Sequence, residues 1–298
     1  MTTPATSGRT GHAGDRDAIF WYEGSTFNDV KAVAFSGPYA GELPRHRGLG
    51  PRTFLRFFND SARNLIDQRD VLPPFDKLIH ANGICYTGVW RIERDSPYTG
   101  YFASGAEGLL LARASVAGPQ IQAGQRRSFG IAGKVFPTMD PDEKVRPGNF
   151  VTVSRLSGHK RQHIADYDMS NKPPIGLDPA ANLINRVIFR LMDTRPGWRQ
   201  LHPISTLGVP RDGEVVTPDL MMLKVAEGTP RMSARDFRDE LRLENYPDHR
   251  LVYTIDVKNF DERAWTRLGS MELTEYAISE GGDKRIHFSI PRDVPDQP

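Results

Sequence analysis

Between Lys77 and Ile92 (KLIHANGICYTGVWRI) every second residue from His80 onward, namely His80, Asn82, Ile84, Tyr86, Gly88, Trp90 and Ile92, falls on one side of an extended chain. Period-two alternation of this kind predicts a half-buried strand over 77–92. The same texture predicts strands over 107–116 (EGLLLARASV), over 127–137 with Phe129, Ile131, Gly133 and Val135 on one side, and over 149–155 (NFVTVSR). It returns at 219–226 (DLMMLKVA), 250–258 (RLVYTIDVK), 270–279 and 285–290 (RIHFSI). Glycines recur inside these strands at Gly83, Gly88, Gly130 and Gly133, where a bulge, a sharp bend or a close approach would exclude a side chain.

Helical spacing stands out in three places. Leu55, Phe58, Ala62, Leu65 and Ile66 share a face of a helix predicted over 51–69, with Pro51 in its first turn. Asp178 and Pro179 open a second, PAANLINRVIFRLMDTR, with Leu183, Ile184, Val187, Ile188 and Leu191 at helical intervals. A capping box, Ser233-x-x-Asp236, starts a third over roughly 233–243. The polar stretch LSGHKRQHIADYDMSNKPPIGLD reads as loop. About eight strands, a helix-bearing excursion midway and no linker between 50 and 290 predict an α+β protein. Residues 18–298 form a single domain in this reading, behind a polar tail at 1–17.

Composition narrows the picture. The chain has 298 residues, of which 27 are glycine and 23 proline, a share that suits a loop-rich β protein better than a helical bundle. With 39 basic and 37 acidic residues the net charge is +2, which supplies no electrostatic footprint for nucleic acid. No long apolar run suggests a membrane helix, and MTTPATSGRTGHAGDRD lacks an apolar signal core, so a cytoplasmic location is expected. The single cysteine, Cys85, excludes an internal disulfide and any multi-cysteine metal site. In GHKRQH, His159 and His163 stand four apart without an acidic third ligand nearby, the pattern of a solvated loop.

A histidine on the apolar side of a strand must find a hydrogen-bond partner or cost stability, so His80 is either a satisfied core residue or part of a site. Lys77-x-x-His80-Ala81-x-Gly83, followed by Gly88, Arg113-Ala114-Ser115, Arg127-Ser128-Phe129 and Asn149, resembles in order and interval the distal-side motifs of the haem catalase superfamily. The C-terminal strand sequences look like those of small catalase-related proteins. The resemblance implies a catalase-like antiparallel β-barrel of about eight strands with peripheral helices. It also implies haem b and a peroxide substrate, either hydrogen peroxide or an organic hydroperoxide. By resemblance His80 would move the proton, Ser115 would fix its tautomer and Asn149 would orient the peroxide. Arg113 and Lys77 would face the haem propionates, lysine keeping the charge of the family's arginine without its fork.

The family's axial ligand is a tyrosinate in an R-x-x-x-Y pattern on a helix after the barrel. Arg242-Leu243-Glu244-Asn245-Tyr246 has that spacing but precedes the strand RLVYTIDVK, which makes Tyr246 the candidate iron ligand. After the last strand only PRDVPDQP follows, with no room for a proximal helix. Two functions are therefore carried forward. One is a haem-dependent oxidoreductase of catalase type, or a relative that isomerises or dehydrates hydroperoxides. The other is a haem-free catalase-derived barrel with a binding or scaffold role. A homo-oligomer is compatible with either; nucleic-acid and membrane partners are not expected.

Overall fold

The computed structural model describes residues 24–44, 80–116, 129–154, 163, 167–170, 216–232, 234, 236–286 and 288. The N-terminal tail, the helices expected over 51–69 and from Pro179, and Lys77, Arg127, Ser128 and His159 lie outside them. Eight strands close into an antiparallel barrel: β1 Gly83–Ile92, β2 Glu107–Val116, β3 Phe129–Phe136, β4 Gly148–Val153, β5 Met169–Ser170, β6 Leu220–Val225, β7 Leu251–Lys258 and β8 Thr266–Ala277. Each pairs with its sequence neighbour, and β1 also pairs with β8, so no edge is left open. The expected architecture is therefore present, with few helices among the described residues.

Seven of the eight strands overlap stretches whose alternation predicts them, with β4 starting one residue and β8 four residues before the expected limits. The exception is β5, which lies in the polar stretch read as loop and is two residues long, too short to show a period. At the C-terminal end the strand predicted over 285–290 is absent at the described positions 285, 286 and 288, the others lying outside the described residues. Arg285, the first residue of the strand predicted over 285–290, instead closes a short helix, Glu280–Lys284. Ser279 caps that helix by accepting from Gly282 N, a local bond that strand pairing does not offer. The helix expected over 233–243 shrinks to Phe237–Glu240, because its working cap is Asp236, which accepts from Arg238 N at 2.9 Å.

The barrel wall has two distinct faces. Inward residues such as Ile84, Tyr86, Trp90, Leu110, Phe150 and Tyr253 form one apolar core. Trp90 lies 5.7 Å from both Phe102 and Phe150. Eight strands enclose a bore that side chains of this size fill. On the outside, helix α1 (Phe27–Ala34) lays Phe27, Val30 and Ala34 over Cys85, Leu111 and Phe136. Its N-cap Thr26 accepts from Asp29 N at 3.0 Å, and Phe27 meets Phe136 edge-on at 5.5 Å. The helices Phe237–Glu240 and Glu280–Lys284 are α2 and α3; α3 packs against α1 and β1. At Gly88 the pairing of β1 with β8 slips in register, and a Cβ there would collide with the carbonyl oxygen of Glu272. Glycine is what lets the bulge form.

Candidate functional site

Register places the candidate residues. Across the barrel wall, Gly83, Ser115, Gly130, Val153 and Ser170 lie in one row. Cys85, Arg113, Ala132 and Val151 lie in the next, and Thr87, Leu111, Lys134 and Asn149 in the third. Cys85, Leu111 and Phe136 pack under α1, so all three rows face outward. Ser115 and Arg113 share a face, as their spacing predicts, but it is the outer one.

His80 stands three residues ahead of β1 and is not part of the strand. Its φ of 57° is left-handed, which for a residue other than glycine is uncommon. That turn breaks the alternation that the sequence suggests for 77–92. It carries the imidazole to the outer side of the wall and not into the barrel interior. There His80 Nδ1 meets Ser115 Oγ at 2.9 Å. Its Cε1 lies 3.3 Å from where a Cβ on Gly130 would be, so a larger residue at 130 would crowd the ring. The side chain is half-buried. Burial of the ring, followed by the positive charge of Arg113, lowers its pKa to about 4 against the opposing bond to Ser115. The imidazole is neutral at physiological pH.

Arg113 is only 4% exposed. Its Nη1 donates to the carbonyl of His80 and its Nη2 to that of Ala81, each at 2.8 Å. Nη2 also pairs with Asp283 Oδ1 at 2.7 Å, and Asp283 is 5% exposed. Gly83 N donates to the same oxygen at 2.8 Å, while Tyr39 hydroxyl donates to Oδ2 at 3.1 Å. No pattern in the sequence singles out Asp283 or Tyr39. Their role arises from contacts 170 and 244 residues apart in the chain.

The other candidates lie elsewhere. Asn149 is fully buried opposite Lys134, on the same outer wall but two rows from Ser115. At roughly 3.3 Å per residue that is about 13 Å along the strands. Tyr246 packs into the apolar core on the inner side, and its hydroxyl donates to the carbonyl of Glu240 at 2.8 Å. Burial, and then the nearby Glu240 carboxylate, raise its pKa well above the usual phenol value. An iron-bound tyrosinate needs the opposite shift. The arginine of that motif, Arg242, is engaged by Asp239 and the hydroxyl of Tyr276. His80 and Tyr246 are on opposite sides of the wall, so the structure does not bring them together. His163 Nδ1 lies 2.7 Å from the carbonyl of Met232, and no cluster of three metal-ligating side chains occurs among the described residues.

No family model and no curated protein sequence matches the chain. Solved structures that match the chain include a bacterial catalase, 12% identical with a TM-score of 0.39, covering 83% of this chain and 60% of its own. A fungal catalase is 16% identical with a TM-score of 0.37, covering 80% of this chain and 57% of its own. The protein thus spans less than two thirds of the length of either.

Proposed function

We propose that the protein is a haem-dependent oxidoreductase of catalase type, acting on hydrogen peroxide or an organic hydroperoxide, with His80 as the proton-transferring group. The observation that carries this reading is the 2.9 Å contact between His80 Nδ1 and Ser115 Oγ. With Nδ1 protonated and donating to that hydroxyl, Nε2 carries the lone pair. It can accept a proton from the near oxygen of a hydroperoxide and return it to the far one. A depressed pKa keeps the ring in the neutral form that this cycle starts from. Ser115 holds the tautomer.

Haem, when bound, would supply the oxidation chemistry. Among the described residues the fit to that group is incomplete. The histidine–serine pair suits its distal side. Arg113 is already paired with Asp283, Tyr246 is sealed in the core, and Asn149 lies two rows away. Those three placements favour a second reading, a haem-free barrel that binds another ligand or serves as a scaffold. Reconstitution with excess haem, followed by a Soret spectrum and a pyridine haemochrome assay, separates the two. The first reading expects a haem band, and in His80→Ala an unchanged band with peroxide turnover lower by about 10²- to 10⁴-fold. Absence of haem after reconstitution leaves the second. Full turnover in His80→Ala removes His80 from the chemistry.

A further inference from the structure

His80 adopts a left-handed backbone at the mouth of the barrel, and something must hold it there. Arg113 reaches that turn from the neighbouring strand. Its two terminal nitrogens grip consecutive carbonyls, those of His80 and Ala81, at 2.8 Å each. The rigid, planar fork of a guanidinium matches such a pair of acceptors, whereas a lysine ammonium would hold at most one in the same plane. Passage of the guanidinium over the chain depends on Gly83. A Cβ at that position would sit 2.6 Å from Arg113 Cζ.

The charge is balanced from within. Asp283 Oδ1 takes Arg113 Nη2 at 2.7 Å and Gly83 N at 2.8 Å, fixing the far end of the same turn. Tyr39 holds the other carboxylate oxygen. Both charged side chains are almost fully buried and Asp283 already neutralises Arg113, so an anionic ligand group would compete with Asp283 for it.

We propose that Arg113, with Asp283 as its fixed counter-ion, is the positioning residue of His80, its fork holding the left-handed turn that aims the imidazole at Ser115 in place of binding an anion of the ligand. This rests on the reading of His80 as the reactive group, but its test reads the ring itself and needs no turnover.

Two-bond ¹H–¹⁵N correlation spectra of the full chain report the tautomer and titration of His80. The wild-type protein should show one tautomer and a midpoint about 4. The double variant Arg113→Met/Asp283→Asn removes both charges, so neither is left unpaired in the interior. It is expected to show averaged tautomers and a midpoint moved towards the ordinary 6.5. Arg113→Lys keeps the charge and loses the fork. It should average the tautomers and raise the midpoint less than the double variant does, because the positive charge stays while burial of the ring is loosened. This variant stands as the test if the double variant does not fold. A single wild-type tautomer in Arg113→Lys, or a wild-type spectrum in a folded double variant, overturns the proposal. A wild-type protein without peroxide turnover whose ring signal still responds to Arg113→Lys would overturn the function assigned to His80 and leave the positioning role of Arg113 standing.

Discussion

A neutral imidazole beside a buried guanidinium has a direct consequence for stability. Because the folded-state pKa of His80 is about 4 and its ordinary value is 6.5, the unfolded chain binds a proton between those limits that the native chain does not. Above pH 6.5 both states are neutral and the residue has no effect on the balance. As pH falls from 6.5 towards 4 the unfolded state is favoured, by up to about 1.4 kcal/mol per pH unit and about 1–3 kcal/mol in total. Urea titrations of wild type and His80→Gln at pH 7 and pH 4.5 should show a larger loss of stability in the wild type. Equal losses would mean that the ring titrates normally in the folded protein. At this scale the sequence signal was partial. The Arg113–Ser115 spacing declared a shared face, yet nothing local announced that His80 would leave the strand.

Among the elements, β1 has the most demands placed on it. It pairs on both sides, carries core aromatics inward and underlies the turn that holds His80. Its bulge at Gly88 reconciles these by letting the strand slip against β8. Replacing Gly88 with alanine forces a methyl group against the carbonyl oxygen of Glu272 and should cost about 2–4 kcal/mol, read from the urea midpoint. A neutral effect would show that the bulge relaxes freely. The alternation in the sequence marked β1 to β4 and β6 to β8, because each is long enough to display inside and outside positions. It missed β5, which has one residue on each face. Helix α3 lies between the two strands predicted over 270–279 and 285–290 and went unpredicted, because the Ser279 cap that starts it acts through one local bond that periodicity does not register.

For the whole molecule, the barrel wall divides two environments that the sequence presents as one. The inside is packed aromatic and aliphatic core; the outside carries the histidine, the serine and the Arg113–Asp283 pair under their covering segments. The two faces should respond separately to mutation. Phe150→Ala, which empties a fully buried ring next to Trp90, should cost about 3–5 kcal/mol in chemical denaturation. The midpoint of His80 should nevertheless stay near 4. A shifted midpoint would mean that core and outer wall are mechanically coupled. The same division explains why Tyr246, which has the right spacing to an arginine, ends up away from His80. Spacing along the chain says nothing about which side of a closed sheet a residue faces.

Alternation and turn residues were enough to locate seven of the eight strands and the shared face of Arg113 and Ser115, since those follow from local geometry repeated along the chain. The barrel was implied by the resemblance. Only the closed tertiary structure decided which face was outside, where the left-handed turn put His80, and that Arg113 would be neutralised by Asp283. Those outcomes depend on contacts between residues far apart in the chain, and the energy of a buried charge or a strained turn is settled by whatever the fold brings beside it.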